Sequence, residues 1–107
     1  MIHMDELKRE IIKFQSDRNW KKFHTPENLA KSISIEAAEL LEHFQWGKDY
    51  DIDEVADELA DVFNYAILMA IELDLDINKI VLNKIKKNAE KYPVEKSYGV
   101  STKYVEF

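Results

Sequence analysis

The sequence predicts an all-α chain, a four-helix bundle-like arrangement that self-association completes. Three observations carry this reading. Only two Gly and two Pro occur in 107 residues, too few for a chain of many tight turns. Apolar residues recur at helical spacing through most of the chain, as at Leu7, Ile11 and Phe14. Capping residues stand where such periods begin.

The elements follow in order. The first helix is expected over residues 5–17. A loop over 18–24 carries Trp20 and Phe23. The second helix starts at Thr25-Pro26, an N-cap followed by Pro at the first helical position, and runs to about Trp46 before Gly47. The third opens at Asp51 with Glu54 in capping-box spacing and continues to about Leu73. The fourth runs from near Asp76 to near Lys91, ahead of Pro93. Residues 94–107 have no clear period and read as an ordered or semi-ordered tail. No internal repeat or linker interrupts the chain, so residues 1–107 are expected to form one domain.

The third helix is unusual. Over residues 62–71 it is apolar nearly all round, broken only by Asn64 and softened by Tyr65. Such a helix is buried on most sides. One small chain offers limited cover, so a homo-oligomer is expected.

Composition narrows the function. The 21 acidic and 15 basic residues leave a net charge of −6, which argues against a nucleic acid polymer or an anionic membrane as partner. No cysteine is present, hence no disulfide framework and no thiolate chemistry. Residues 1–10 are charged and lack the apolar core of a signal peptide. The longest apolar run, residues 66–71, is too short to span a bilayer. A cytoplasmic protein is the expectation.

The chemistry concentrates in two carboxylate pairs, Glu36-Ala-Ala-Glu39 and Glu58-Leu-Ala-Asp61. Each pair is spaced i, i+3, so both members project from one side of a helix. If helices two and three fold back on each other about residues 48–49, residues whose numbers sum to 97 lie side by side. Glu36 then faces Asp61 and Glu39 faces Glu58, roughly 16 Å from the turn at about 1.5 Å rise per residue. Glu36 shares its face with Leu29, Ile33 and Leu40, and Asp61 shares its face with Tyr65 and Leu68. Inward-facing carboxylates without partners are costly. A divalent cation is the simplest way to hold four of them, and oxygen-only ligands point to a hard ion such as Mg²⁺. A di-iron bundle is the competitor, but it uses Glu-x-x-His motifs. None of His3, His24 or His43 stands three residues after a Glu. His43, four residues after Glu39, is read as a surface or supporting position.

On these residues the chain resembles the MazG-like nucleotide pyrophosphohydrolases, whose pattern is E-x-x-E, a spacer, then E-x-x-D. Eighteen residues separate Glu39 from Glu58 here. The likeness is greatest to the dCTP pyrophosphatase branch. It extends to Arg18-Asn-Trp-Lys-Lys-Phe-His-Thr-Pro-Glu-Asn-Leu29, to Phe44-Gln-Trp46, to Lys91-Tyr-Pro93 and to Ser101-Thr-Lys-Tyr104.

The resemblance implies a MazG fold and hydrolysis of a nucleoside triphosphate, with dCTP or a modified pyrimidine preferred, in nucleotide-pool housecleaning. It implies Glu36, Glu39, Glu58 and Asp61 as ligands to Mg²⁺, for which Mn²⁺ could substitute. Glu39 is favoured as the residue that activates water. Lys84 and Asn88 match phosphate-binding residues of the family, with Lys87, Lys96 and Lys103 as weaker candidates. Trp20, His24 and Trp46 match residues of the base pocket. Tyr65 and Phe23 are further aromatics that could receive a base. Dimers or tetramers are implied. The alternative is a noncatalytic helical assembly module with acidic helices.

Overall fold

A computed structural model describes residues 3–47 and 49–100. It comprises α1 (Met4–Asp17), a 3-10 turn (Lys21–Phe23), α2 (Pro26–Glu42), α3 (Ile52–Glu72), α4 (Ile77–Lys91) and the one-turn α5 (Val94–Ser97). No strand occurs among the described residues. The chain divides into two compact units, Met1–Leu75 and Asp76–Phe107.

The helix starts form where side-chain oxygens stand ready to accept. Thr25 Oγ1 accepts from the Asn28 N–H at 3.2 Å, with Pro26 in the first turn. The Asn28 side chain donates to the Phe23 carbonyl at 3.0 Å and ties the 3-10 turn to α2. Asp51 Oδ1 accepts from the N–H groups of Asp53 at 2.9 Å and Glu54 at 3.3 Å. Asp76 Oδ1 accepts from the Lys79 N–H at 3.0 Å.

Two helix ends use a left-handed residue. Asn19 and Asp74 both have φ of 54°. After α1 the Trp20 N–H donates to the Gln15 carbonyl at 3.0 Å, and that of Asn19 to the Ser16 carbonyl at 3.1 Å. After α3 the N–H groups of Leu75 and Asp74 reach the carbonyls of Ala70 and Ile71 at 2.8 and 3.1 Å. Both patterns are Schellman caps, which satisfy the last carbonyls of a helix.

Two boundaries differ from the sequence expectation. The second helix ends at Glu42, not near Trp46. Beyond it the N–H groups of His43, Phe44 and Gln45 bond to carbonyls three residues back, so the chain tightens into successive turns. Gly47 then takes φ of 111°, a conformation that L side chains resist. Packing of Phe44 on Tyr50, with ring centroids 4.8 Å apart, links the two sides of the turn. The other difference is α5, a single helical turn within the stretch read as a tail without period.

In the first unit α3 packs against both α2 and α1. The core is Ile11 from α1, Leu29 from α2, and Ile67, Leu68 and Ala70 from α3. Leu29 is fully enclosed. Complete burial of such a side chain stabilises by about 1.5–3 kcal/mol, and its truncation to Ala costs about 2–5 kcal/mol. Of residues 62–71, expected to be covered on most sides with help from self-association, Ile67, Leu68 and Ala70 are buried and Val62, Tyr65, Met69 and Ile71 half-buried in the single chain. Phe63 is 57% exposed, and Leu59, one turn before it, also faces outward. No helix among the described residues is long and apolar enough to cross a membrane.

Candidate active site

Packing of α2 against α3 brings carboxylates together. One oxygen each from Glu36, Glu58 and Asp61 lies within 4.8 Å of the others. Glu36 is half-buried, Glu58 has an 18% exposed side chain, and Asp61 is the most open of the three. Glu39 stands outside this group but touches Glu36 closely enough to affect its charge.

The Glu36 carboxyl is pushed up to about 7. Burial is the largest cause, followed by hydrogen-bonding contact with Glu39 and Glu58, and by the charges of Glu39 and Asp61. Its Oε2 atom is buried without a hydrogen-bond partner. An orphaned carboxylate oxygen facing two further carboxylates is an oxygen-donor set that suits a hard divalent cation. The residues therefore fit such an ion.

The register continues one turn toward the loop. His43 Nδ1 lies 3.8 Å from Glu54 Oε2, and His43 Nε2 lies 4.0 Å from Glu58 Oε1. The imidazole stands between an exposed carboxylate and one of the clustered ones. Sequence reasoning put His43 at the surface or in a supporting position and gave it no partner. The signal was available, because 43 and 54 share the sum that pairs Glu36 with Asp61. Glu54 thus turns its carboxylate toward His43, while its backbone N–H serves the Asp51 cap.

A cleft of about 620 Å³ adjoins the cluster and shares Asp61 with it. One wall is α1, including Phe14 and Gln15, and the other is α3, with Asn64 and Tyr65. Trp20 closes one side, 43% exposed and edge-on to Phe14 with centroids 5.8 Å apart. The Arg18 guanidinium lies 3.6 Å over the Phe14 ring and donates to the Phe14 carbonyl at 3.0 Å. His24 meets Tyr65 edge-to-face at 6.5 Å. Burial raises the Tyr65 hydroxyl above its ordinary range, reinforced by the charges of Glu36, Asp61 and Glu39. The phenol therefore stays protonated as a donor beside the acids.

The other sequence candidates stand on other elements of the chain. Trp46 is 89% exposed in the turns after α2 and does not line the cleft, so Trp20 and Trp46 do not form a two-sided slot within the described residues. Phe23 is exposed on the 3-10 turn. Lys84 and Asn88 belong to the second unit, one turn apart on α4, where they line a shallow groove with Ile80, Val81 and Ile85. Lys87 is exposed on α4 and Lys96 is exposed on α5. Lys103 and the rest of residues 101–104 lie outside the described residues.

Residues 31–107 match the MazG-like family. The chain belongs to this family. Over 113 aligned residues it is 31% identical to dCTP pyrophosphatase 1 of Rattus norvegicus, covering 96% of this chain and 66% of that protein. Identity to dCTP pyrophosphatase 1 of Homo sapiens is 30%, with the same coverage of both. The chain thus spans just under two thirds of the length of these relatives. Among solved structures, a pyrophosphatase from Archaeoglobus fulgidus DSM 4304 superposes with a TM-score of 0.78 at 41% identity, covering 87% of this chain and 94% of that one. In this MazG-like chain the carboxylate cluster and the flanking cleft both lie in the first unit.

Proposed function

We propose that the chain is a nucleoside triphosphate pyrophosphohydrolase that converts a (d)NTP and water to the (d)NMP and pyrophosphate. The observation that carries this reading is the convergence of Glu36, Glu58 and Asp61 at the edge of a cleft walled by Trp20 and Tyr65. Triphosphate chemistry needs charge neutralisation next to a slot for a base, and these two features share Asp61. The family match and the pyrophosphatase relatives support the same reaction.

Mg²⁺, with Mn²⁺ as substitute, would be held by Glu36, Glu58 and Asp61 with Glu39 beside them, and when bound would neutralise and orient the triphosphate oxygens. Glu39 accepts the proton of the attacking water as that oxygen bonds to phosphorus and the α–β anhydride link breaks. Trp20 and Tyr65 line the base cleft, and His24 backs Tyr65 edge-on. Trp46, exposed in the single chain, lies free to contact a base or a second subunit. Lys84 and Asn88 on α4 are the proposed phosphate contacts.

The family match over residues 31–107 runs through both units and the alignment to the named relatives covers 96% of the chain, which supports one functional domain over residues 1–107. A homodimer or homotetramer would cover the outward Leu59 and Phe63 of α3. The name of the relatives, dCTP pyrophosphatase 1, supports dCTP as the substrate. A modified pyrimidine as substrate, a housecleaning role and a cytoplasmic setting belong to the same proposal and rest on the resemblance read in the sequence.

The test is a panel of triphosphates with and without Mg²⁺, with products identified by phosphorus NMR. Metal-dependent release of pyrophosphate and monophosphate is expected. Release of orthophosphate only, or no turnover of any triphosphate, would overturn the assignment and favour the noncatalytic helical module.

A further inference from the structure

The cleft beside Trp20 contains one polar group in an unusual state. Gln15 lines it from the last turn of α1, and its Oε1 atom is buried without a hydrogen-bond partner. A buried carbonyl oxygen with no donor is uncommon in a native fold and needs an explanation. The other polar side chains of the cleft do not supply the missing donor. Lys13 and Asp17 pair with each other at 2.9 Å. Arg18 is committed to the carbonyl and ring of Phe14. Glu10 and Asp61 are acceptors themselves.

Gln15 is also fixed relative to the stacking ring. Its main-chain carbonyl accepts from both the Arg18 N–H at 3.2 Å and the Trp20 N–H at 3.0 Å. The acceptor and the ring are therefore tied through one backbone cap. A flat group lying on Trp20 would present its edge within the same cleft that Gln15 lines. On the opposite wall stands Asn64, the one full interruption in the apolar run of α3. A carboxamide there offers a donor to the ring and carbonyl acceptors of the same base.

We infer that Gln15 selects the base: its buried Oε1 accepts from the exocyclic amino group of a cytosine stacked on Trp20, and discriminates against uracil and thymine. Those bases carry a carbonyl at the equivalent position, which would set acceptor against acceptor. Sites built to pair a polar group reject ligands that lack the partner far more strongly than apolar pockets reject a missing methyl. The inference rests on the proposed nucleotide hydrolysis and names the residue that would set its base preference.

The experiment compares kcat/KM for dCTP and dUTP in the wild type, Gln15→Met and Gln15→Glu. Met keeps length and removes the acceptor, so dCTP should lose about tenfold or more while dUTP stays within about twofold. Glu keeps an acceptor and should hold the dCTP-to-dUTP ratio within about threefold of the wild type. The thermal shift produced by Mg²⁺ serves as a fold control and should not change. Equal losses for both substrates in Gln15→Met would assign Gln15 to packing and overturn the inference. So would no loss, or a loss confined to dUTP. If the wild type releases pyrophosphate without preferring dCTP to dUTP, the inference fails and the pyrophosphohydrolase assignment stands. If no triphosphate is hydrolysed, calorimetric binding of dCMP and dUMP to the wild type and Gln15→Met reads the same contrast. Equal affinities there overturn the inference independently of catalysis.

Discussion

The α2–α3 pair carries acidic residues at two levels, and they live in different electrostatic worlds. Near the turn, Glu54 has a 68% exposed side chain and faces an imidazole. Farther along the same register, Glu36 faces carboxylates, its Oε2 is buried, and its titration is pushed up to about 7. The backbone geometry is shared, and so is the residue type. What separates the two levels is solvent access and the sign of what stands opposite. Near the turn, negative charge is solvated, suits the start of α3 and meets an imidazole. Deeper in, each negative charge raises the cost of the next until a cation or a proton joins them.

Substitutions can break or sharpen this contrast. The largest effect is expected from Glu39→Gln, which keeps size and helix propensity while removing the proposed proton acceptor. Turnover should fall on the order of 100-fold or more with far-ultraviolet circular dichroism unchanged. Near-normal kcat would remove Glu39 from the reaction.

The next effect is thermodynamic. A Glu carboxyl titrates near 4.5 when unperturbed, and that of folded Glu36 near 7. Between these values the folded chain holds a proton that the unfolded chain has released. Stability in chelator should therefore fall as pH rises from about 4.5 to about 7. Mg²⁺ should raise Tm most at the upper end of that window, where the carboxylates are free to bind it. In Glu36→Gln the pH slope should flatten and the Mg²⁺ shift should shrink. A Tm unaffected by millimolar Mg²⁺ in the wild type would count against the metal site.

Smaller effects belong to the level near the turn. His43→Gln removes a group poised against Glu58 without removing a ligand, so it should weaken Mg²⁺ binding several-fold, the lower end of what supporting contacts to a metal ligand contribute. Calorimetric titration measures this, and an unchanged Kd would reduce His43 to a surface residue. Glu54→Gln should change kcat/KM by no more than about twofold, as expected of an exposed contact between side chains. A loss comparable to that of Glu39→Gln would erase the distinction between the two levels.

Much of the fold was legible because its signals are local. Thr25-Pro26, Asp51 and Asp76 announce helix starts through a side-chain oxygen two or three residues before an N–H that the helix leaves unpaired. The constant-sum register was legible because an antiparallel pair obeys simple arithmetic once its turn is located. The early end of α2 was not, since no breaker precedes Gly47 and the contact of Phe44 with Tyr50 that accompanies the turns joins residues on either side of the loop. The cleft was also hidden. Gln15 and Asn64 stand 49 positions apart on different helices, and only the packing of α1 on α3 brings them to one cavity. Residue type did not flag Gln15; the missing partner of a buried atom did, and that is a property of the folded chain alone.

The left-handed turn at Asn19 has a consequence for how such a cleft can change over generations. The cap it completes is made by main-chain groups of Gln15, Ser16 and Trp20, and no side chain at position 15 takes part in it. The ring is thus anchored by backbone that any residue at position 15 except proline would supply. Inheritance can therefore try new side chains at that position one at a time while the ring and the acidic cluster keep their positions. Variation in base preference is uncoupled from variation in the catalytic apparatus, and a lineage could shift from one base to another by a single codon change.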